Sequence, residues 1–575
     1  MMRTALRALL LGAASMAGTV QAVEYTNPQP LADQMDPPVQ SCRQQEELSV
    51  PLRTSGVDLV PIYANDYQLE GSGSGTFADN DLDVTLNLQN DIRDQVRDFL
   101  SCESPIMRAT QGMLNTVADL TEADERTRML ALYQHGFSNG ADALVTRESV
   151  QNTSDLSGAT IVTQAYGPHL SYMNRILSDA RESAENNGES WQEPTILYTE
   201  DLLGLSGNTP GAALLEDDSV DAAFVTTADA NILTSGGKVG TGAEGSVKGA
   251  EIILSTKSAS RLISEVYVVR ADYLENNREQ MQRFVKALFN AEETVREDVV
   301  KQVIDWESVA SILLNDSGAT EDAADLWRGV ETVGLQGNID WANPNKPRSW
   351  KSINDEIQNA LVAQGLMGSA YALGNADWDY QGFSGGIFDQ RRTELPGFDS
   401  NKASSVVEDM KQSGELEGKA LMEFEIGFEP NQTQFSAREY SEKFDKVLET
   451  AATYSGAVIT VEGHSDPLNY LKQKHNGASS HKLKSIRQAT RNLSMNRAME
   501  VRDTVLEYAQ QQDQAMDESQ FVTLGHGINE PKTGMCGGDP CPPETEAEWR
   551  SNMRVVFRIV NVEAESSTFT PSNAW

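Results

Sequence analysis

Positive charge is scarce in this 575-residue chain, which has 46 Lys and Arg against 85 Asp and Glu and a formal net charge of −39. Sequence-independent nucleic-acid binding needs clustered Lys and Arg to neutralise phosphates, so the surface as a whole is excluded from that role and no nucleic-acid partner is expected. Docking on anionic lipid is disfavoured for the same reason. Aromatic residues make up only 7%, but hydrophobic residues reach 39%, which suffices for packed cores in two or more domains.

Long apolar runs are also missing, apart from one short segment at the N-terminus. Arg3 and Arg7 precede an apolar run from Ala8 to Ala17, and the small residues of Val20-Gln21-Ala22 follow. Because the run is shorter than the ~20 apolar residues of a spanning helix, the pattern predicts a secretory signal peptide over residues 1–22. Its removal would leave 553 residues with a net charge of −41 and no transmembrane segment, outside the cytoplasm.

Cysteine is rare. Four cysteines allow three disulfide connectivities, of which the simplest pairs Cys42 with Cys102 and Cys536 with Cys541. An oxidising compartment favours disulfides over zinc. No second Cys pair stands near Cys536 and Cys541, so we expect no metal site there.

The rest of the chain divides by composition into a polar leader, a long α/β body, a linker, a second compact domain and a tail. Short β-like runs alternate with amphipathic helical stretches in the body, which is the pattern of an α/β fold. The predicted strands include Thr160–Gln164, Thr195–Tyr198, Ala222–Thr226, Glu251–Ser255 and Val266–Val269, and the predicted helices Leu170–Glu185 and Asn277–Val295. The predicted boundaries are 23–44 for the leader, 45–390 for the body, 391–418 for the linker, 419–562 for the second domain and 563–575 for the tail.

The second domain carries four motifs in a fixed order. They are Gly463-His464-Ser465-Asp466, Leu493-Ser494-Met495-Asn496-Arg497-Ala498, Gly525-His526-Gly527 with Pro531, and Asn552-Met553-Arg554-Val555. This series resembles the OmpA-like peptidoglycan-binding family, whose fold is a small α/β domain. Four ordered motifs over about 140 residues are far more specific than any one of them alone.

The resemblance implies a site for the diaminopimelate of a peptidoglycan stem peptide, which carries an ammonium and a carboxylate on one carbon. Asp466 would take the ammonium, and Arg497 would hold the carboxylate by a charge-assisted fork. Ser494 is expected to be the N-cap of the helix that carries Arg497. The same groove would be lined by Ser465, Asn552 and Arg554. The competing interpretation is that Asp466 caps a helix and Arg497 is a surface salt-bridge partner.

Residues 471–502 depart from the family pattern in length and charge. Eight basic residues stand there against Glu500 alone, and Thr490 replaces the Asn that the family usually has. The basic cluster either holds anionic wall polymer or is a solvated helix face and counter-ion to the acidic body. His464 and His526 lie at motif positions, so they are interpreted as packing or hydrogen-bonding residues and not as metal ligands.

The body carries a fainter but longer resemblance. The segments that carry it are Phe137–Val145, Thr153–Gly158, Ala165–His169 and Ser219–Phe224. They look like type 2 periplasmic binding proteins of the nitrate/sulfonate/taurine transport class, which implies a bilobed α/β fold that closes on a small solute between two lobes.

On that resemblance, a solute cleft would be lined by hydroxyl, amide, carboxylate and aromatic groups from both lobes. The expected residues are Thr54, Ser55, Tyr63, Thr110, Ser138, Asn139, Asp142, Tyr166, Gly167, His169, Tyr172, Thr227 and Asp229. Asp142 and Asp229 with the tyrosines favour a cationic solute, whereas the Gly167-Pro168-His169 helix start favours an anion. The charge of the solute therefore stays open at this point.

No cofactor is expected. Gly240 to Gly245 match G-x-G-x-x-G, but a dinucleotide site needs a strand before this motif and a helix after it. Here a glycine-rich loop precedes and a β-like run follows. No Cys/His or Ser/His/Asp constellation stands in a supporting motif context, so no enzyme is expected.

The sequence thus predicts a periplasmic small-solute-binding protein, associated with ABC transport through an inner-membrane permease. Its OmpA-like domain would anchor it noncovalently to peptidoglycan, on the cell-wall or outer-membrane side of a Gram-negative envelope. The alternative is a structural or signalling protein of the cell envelope, whose binding-protein module senses a ligand or contacts a partner protein without transport.

Overall fold

The computed structural model describes residues 23–560, apart from residues 44, 72, 238, 244, 384–399, 414–415, 417–419, 431–439, 513 and 515. The predicted signal peptide and tail lie outside the described residues, as do residues 391–399 of the predicted linker. The fold class is mixed α/β, as the sequence predicts. None of the helices in the described part of the chain has the length and apolar content that a membrane crossing requires.

The first lobe is built on a mixed sheet with the order β11-β4-β10-β3, with β12 beside β4 and a parallel pair β1–β2. Its strands are β1 (Glu47–Leu52), β2 (Asp83–Leu88), β3 (Ile106–Thr110), β4 (Met129–Ser138), β10 (Ser264–Arg270), β11 (Val330–Thr332) and β12 (Gly374–Asn375). Its helices are α2 (Leu59–Ala64), α3 (Gly75–Ala78), α4 (Ile92–Ser101), α5 (Gln111–Thr116), α6 (Ala118–Thr121), α10 (Ala271–Val300), α11 (Trp306–Leu314), α12 (Thr320–Arg328), α13 (Gly334–Ala342) and α14 (Trp350–Ala363). The predicted apolar face of α10 is buried: Met281, Phe284, Val285, Leu288 and Phe289 all lie in the core.

The second lobe is a five-stranded sheet with the order β7-β6-β8-β5-β9. Its strands are β5 (Asp142–Thr146), β6 (Thr160–Gln164), β7 (Thr195–Thr199), β8 (Ala222–Thr226) and β9 (Glu251–Ser255), and its helices are α7 (Leu170–Asn187), α8 (Pro210–Glu216) and α9 (Thr227–Leu233). The four predicted strands of this lobe fall within one residue of these bounds because each is a short apolar run between turn residues. In the first lobe, β10 begins two residues before the predicted strand Val266–Val269.

Between β4 and β10 the chain crosses between the lobes twice, in adjacent places. It leaves the first lobe at β4 and enters β5 through residues 139–141, and it returns from β9 to β10 through residues 256–263. The two crossings contact each other, because Ser138 N–H donates to Ile263 O at 3.0 Å and Thr256 N–H to Asp142 O at 2.9 Å. Such a pair of adjacent crossings is the place where the lobes can rotate relative to each other.

The leader is packed against the body, which its polar composition did not predict. Leu31, in the short helix α1 (Leu31–Gln34), is 1% exposed and lies in the core. Thr26 forms a β-bridge with Tyr198 of the second lobe. Cys42 is bonded to Cys102 at the end of α4, and Cys536 is bonded to Cys541, so the simplest of the three pairings is the one present.

The C-terminal unit is a four-stranded sheet with the order β13-β18-β14-β15, covered by helices. Its elements are β13 (Ala420–Gly427), α16 (Ser441–Thr453), β14 (Val458–His464), α17 (Leu468–His475), α18 (Ser480–Gln511), β15 (Phe521–Gly527), β16 (Met535–Cys536), β17 (Asp539–Pro540), α19 (Glu546–Ser551) and β18 (Arg554–Val560). β14 and β15 are parallel, and β18 lies antiparallel between β13 and β14.

Two sequence expectations are corrected here. The second half of the predicted linker forms a helix, α15 (Ser400–Ser413), because Val407 and Met410 are one turn apart and are buried against the C-terminal sheet. Ser494 is not a helix N-cap, since α18 begins at Ser480 and runs continuously past it. Arg497 lies well inside α18, so the partial positive charge of a helix start is not available to it.

Candidate functional site

A cleft of about 1440 Å³ separates the two lobes and is lined by both. Eight predicted solute-binding residues line it: Thr54, Ser55, Ser138, Asn139, Asp142, Tyr166, Thr227 and Asp229. Their elements explain the convergence, because β1, β4, β6 and β8 end at this face, β5 begins at it, and the connecting loops project into the cleft.

The other five predicted residues do not line the cleft. Tyr63 lies on α2, and its hydroxyl donates to Asp298 at 2.9 Å. Thr110 is the N-cap of α5, where its Oγ1 accepts from Met113 N–H at 3.2 Å. Tyr172 is fully buried and packs edge-on against Phe224. Gly167 packs against Gln164, between the lining residues Tyr166 and Pro168.

His169 is the fifth of these residues, and it acts on the cleft through Asp142. Its Nε2 lies 2.6 Å from Asp142 Oδ1, while Ser138 Oγ donates to Asp142 Oδ2 at 2.5 Å. Both carboxylate oxygens of Asp142 are therefore occupied within the protein. This weakens the cationic interpretation, which needs Asp142 for the solute.

Arg53 is the cleft residue that the sequence analysis missed. It follows β1 directly and lines the cleft, yet only 8% of it is exposed. Among the described residues, its guanidinium has no hydrogen-bond or ion-pair partner, and its Nε is buried without an acceptor. Burial lowers the pKa of Arg53, and the nearby carboxylate of Glu265 opposes that change. A buried cation that faces a cleft without an acceptor is suited to an anionic group of a ligand.

A buried ion-pair network lies behind Arg53. Arg108 of β3 is fully buried and contacts Asp58 Oδ2 at 2.8 Å and Glu265 Oε2 at 2.6 Å. Ser55 Oγ, at the cleft surface, donates to Glu265 Oε1 at 3.1 Å. Burial raises the pKa of Asp58 to about 7, although the adjacent Arg108 opposes the shift. The network holds the wall of the cleft in place, and its charged groups are paired with one another.

On the second lobe, Asp229 lies in the first turn of α9. Its Oδ2 accepts from Gly204 N–H at 3.1 Å and from Thr226 Oγ1 at 3.2 Å. Burial raises the pKa of Asp229, which favours the neutral form of the carboxyl over a charged one. Asp229 therefore lines the cleft with one carboxyl oxygen already held by donors of the protein.

The C-terminal unit brings the predicted diaminopimelate residues to the carboxyl end of β14. Asp466 Oδ2 accepts from Leu468 N–H at 3.1 Å, while its Oδ1 is buried. Burial raises the pKa of Asp466, and hydrogen bonding to the side chain of Trp549 opposes this shift. Arg497 donates to His464 O and Glu429 O, both at 3.4 Å, and its guanidinium lies 5.1 Å from the ring centroid of Phe428.

The remaining predicted residues of this site have mainly structural contacts. Ser465 Oγ donates to Thr490 O at 3.1 Å, and Gly527 N–H donates to Ser494 Oγ at 2.9 Å. Asn552 is fully buried and bonded to Thr533, and Arg554 Nε donates to Glu425 at 3.0 Å.

One cluster of potential metal ligands occurs among the described residues: Glu462, His464 and His526. The two imidazole rings are stacked, with centroids 4.7 Å apart and planes at 9°. In-plane lone pairs of parallel rings do not converge on one ion. Glu462 is in addition paired with Arg558 and bonded to Thr460. The cluster therefore does not fit a metal and serves as a buried ion-pair network.

No protein-family model matches the chain, and no curated protein matches it. Solved structures with a detectable likeness include periplasmic binding proteins. The sulfonate-binding protein SsuA from Methylobacillus flagellatus has 15% identity, covers 65% of this chain and 97% of its own, and gives a TM-score of 0.38. The aliphatic sulphonate-binding protein SsuA from Escherichia coli has 10% identity, with 57% and 95% covered and a TM-score of 0.38.

An enzyme also occurs among these structures. The desulfurization enzyme DSZB has 14% identity, with 60% and 97% covered and a TM-score of 0.35. At TM-scores below 0.5 these likenesses carry no conclusion about the function of this chain.

Proposed function

We propose that this protein binds a small anionic solute in the cleft between its lobes, as a periplasmic solute-binding protein of the type 2 fold. The observation that carries the proposal is Arg53, a residue only 8% exposed that lines the cleft without a hydrogen-bond acceptor among the described residues. An anionic group of a solute would supply that acceptor. Delivery of the solute to an inner-membrane permease of the ABC type belongs to the same proposal.

The second part of the proposal is noncovalent anchoring to peptidoglycan through the C-terminal unit. Four ordered motifs support it, together with the carboxylate of Asp466 at the carboxyl end of β14, which can accept the ammonium of diaminopimelate. Arg497 lies beside the same strand end, where its guanidinium can share a carboxylate. Anchoring would keep the cleft close to the envelope partners that it serves.

The cleft assignment is tested by isothermal titration of the full chain with sulfate and methanesulfonate, and with tetramethylammonium as a cationic probe. Arg53→Met should weaken anion binding by about tenfold or more, since a hydrogen bond to a charged group contributes ~1.5–3 kcal/mol. Arg328→Met is the matched control, because Arg328 also lines the cleft but is already paired with Asp325 and Glu321. Equal anion affinity in the Arg53→Met variant and the parent would refute the assignment.

A second candidate function is a sensor of the cell envelope that does not transport. The observation that favours it is the direct contact between the C-terminal unit and the segment that connects the lobes. A thermal-shift panel of sulfonates, nitrate, amines and pyrimidines separates the sensor from the transport protein. If none of these solutes stabilises the protein, the result counts against transport.

A further inference from the structure

The return crossing between the lobes, residues 256–263, is covered on its outer side by the C-terminal unit. The contact is made by residues 453–456, the turn between α16 and β14. Gly456 N–H donates to Ser258 O at 3.2 Å, and Arg261 N–H donates to Thr453 O at 3.2 Å. The hydroxyls of Ser260 and Ser455 lie 2.6 Å apart.

The backbones approach closely at Gly456. A Cβ on this residue would lie 1.7 Å from Lys257 O, which no side chain can satisfy without separating the two segments. Gly456 does not have a positive φ. The glycine is therefore required by the approach of the neighbouring backbone and not by its own conformation.

A buried ion-pair group ties the C-terminal unit to both lobes beside this contact. Arg175 of α7, in the second lobe, bonds Glu356 of α14 at 2.7 Å and Glu449 of α16 at 2.9 Å. Its Nε also donates to Asp179 at 2.8 Å, and Asp179 accepts from the Tyr454 hydroxyl at 2.5 Å. One arginine thus joins three bodies, and a rotation between the lobes would move its partners apart.

Helix α14 is bonded to helix α5 and therefore moves with the first lobe. Its Asn354 Oδ1 accepts from Asn115 of α5 at 2.7 Å, and its Gln358 donates to the same Asn115 at 2.8 Å. The C-terminal unit therefore contacts the first lobe, the second lobe and the crossing between them.

The inner side of the same crossing faces the solute cleft. Thr256 Oγ1 accepts from Gly140 N–H at 2.9 Å and lies 2.8 Å from Ser138 Oγ, which in turn bonds Asp142. Lys257, whose carbonyl meets Gly456, lines the cleft. Two consecutive residues thus connect the floor of the cleft to the docked unit.

We propose that the C-terminal unit is a clamp on the hinge, so that its docking limits how far the lobes rotate and thereby sets the affinity of the cleft. The coupling is reciprocal: a solute that favours one lobe arrangement strengthens or weakens docking by the same factor. The clamp itself is a property of the lobes and the unit, and only its effect on affinity rests on the proposed function.

Gly456→Ala tests the clamp in the full chain, with Gly427→Ala as the matched control. Gly427 lies in the same unit, does not have a positive φ and would place its Cβ with no atom within 4 Å. Spin labels on Glu125 of the first lobe and Asp218 of the second report the distance between lobes. Hydrogen exchange at the Gly456 and Arg261 amides reports docking.

The expected result is that Gly456→Ala raises exchange at both amides at least tenfold and broadens the interlobe distance distribution, while Gly427→Ala changes neither. If hydrogen exchange rises in the Gly456→Ala variant but the interlobe distances do not change, the clamp is overturned. If hydrogen exchange does not change, the contact between the C-terminal unit and the crossing, on which the clamp rests, is overturned. If Gly456→Ala does not fold, Glu449→Lys places a cation against Arg175 from a half-exposed position and is expected to give the same two changes.

A sulfate titration separates failure of the clamp from failure of the proposed function. The clamp predicts that Gly456→Ala changes sulfate affinity at least threefold relative to Gly427→Ala. If the parent binds neither sulfate nor methanesulfonate, the proposed anion function fails while the distance measurements still decide the clamp.

Discussion

Arg93 and Glu200 join the two lobes at the cleft by an ion pair of 2.7 Å between Nη2 and Oε1. Arg93 lies in the first turn of α4 in the first lobe, and Glu200 directly follows β7 in the second. Both residues line the cleft and are partly exposed. Arg93 also bonds Asp91 within its own lobe at 2.6 Å, so loss of Glu200 removes only the bond that crosses the cleft.

Glu200→Gln should therefore shift the lobes toward a more open arrangement. An exposed ion pair contributes ~0.2–1 kcal/mol, so we expect a change of about 1.4- to fivefold in the ratio of closed to open molecules. Interlobe distances from spin labels at Glu125 and Asp218 measure it. Asp94→Asn is the control, because it breaks the Arg97–Asp94 pair within α4 alone. An equal shift in both variants would mean that the cross-cleft pair has no specific effect.

Asp466→Asn and Arg497→Met should each abolish cosedimentation of the full chain with isolated sacculi, because each removes one charge that the diaminopimelate centre requires. Arg502→Met is the control on the same helix, where Arg502 pairs with Asp503 and Glu518. Because Arg497 is buried, thermal unfolding of that variant is measured alongside. Continued sedimentation of the folded variants would exclude the predicted wall site.

Glu462 should make the C-terminal unit sensitive to acid. Hydrogen bonding to His526 and the charge of Arg558 overcome burial and lower the pKa of Glu462 from 4.5 to about 2. A carboxyl whose pKa is lower in the folded state stabilises the fold above pH 4.5, and this contribution is lost as the pH falls from 4.5 to 2. The shift corresponds to about 3 kcal/mol.

Glu462→Gln should remove most of this pH dependence and lower the stability at pH 7, since Arg558 and His526 would each lose one of two carboxylate partners in a buried position. Hydrogen exchange of β14 between pH 2.5 and 6 measures the effect, with the exposed Glu546→Gln as control. A stability profile of the Glu462→Gln variant parallel to that of the parent would show that another group causes the acid sensitivity.

The two disulfides should contribute unequally to stability. Cys42 and Cys102 are 60 residues apart and Cys536 and Cys541 only five. Loop-closure entropy then gives about 4 kcal/mol for the first bond and about 2 kcal/mol for the second. Urea unfolding of the two double Cys→Ser variants checks the order, and a larger loss from the Cys536/Cys541 pair would contradict it.

Regular elements were predictable from the sequence where periodicity and flanking turns agree. Strands Ala222–Thr226 and Glu251–Ser255 match the structure residue for residue, because both are short apolar runs between turn residues. Helix α15 was not predictable in this way: its sequence is mostly polar, and Val407 and Met410, with the partly buried Val406, are what packs against the sheet of the C-terminal unit among its described side chains.

The cleft was predictable in part for a different reason. Ser138, Asn139 and Asp142 stand in a recognisable segment at the first crossing, whereas Arg53 is a single arginine after a strand and resembles a surface residue in sequence. The burial of Arg53 depends on residues that are distant in sequence. Gly56 packs against the carbonyl of Leu326, and this contact closes the wall of the cleft beside Arg53. Because Gly56 and Leu326 are some 270 residues apart, no local sequence pattern predicts their contact.

The leader has a consequence for the order in which the protein folds. Thr26 pairs with Tyr198, and the Tyr25 hydroxyl donates to Asp217 at 2.7 Å, so both partners lie more than 170 residues further along the chain. Neither contact can form before the second lobe has its strands, because contacts of such high sequence separation carry the full cost of loop closure. Tyr25 and Thr26 are therefore synthesised ahead of the lobe that receives them and can dock only after its strands have formed.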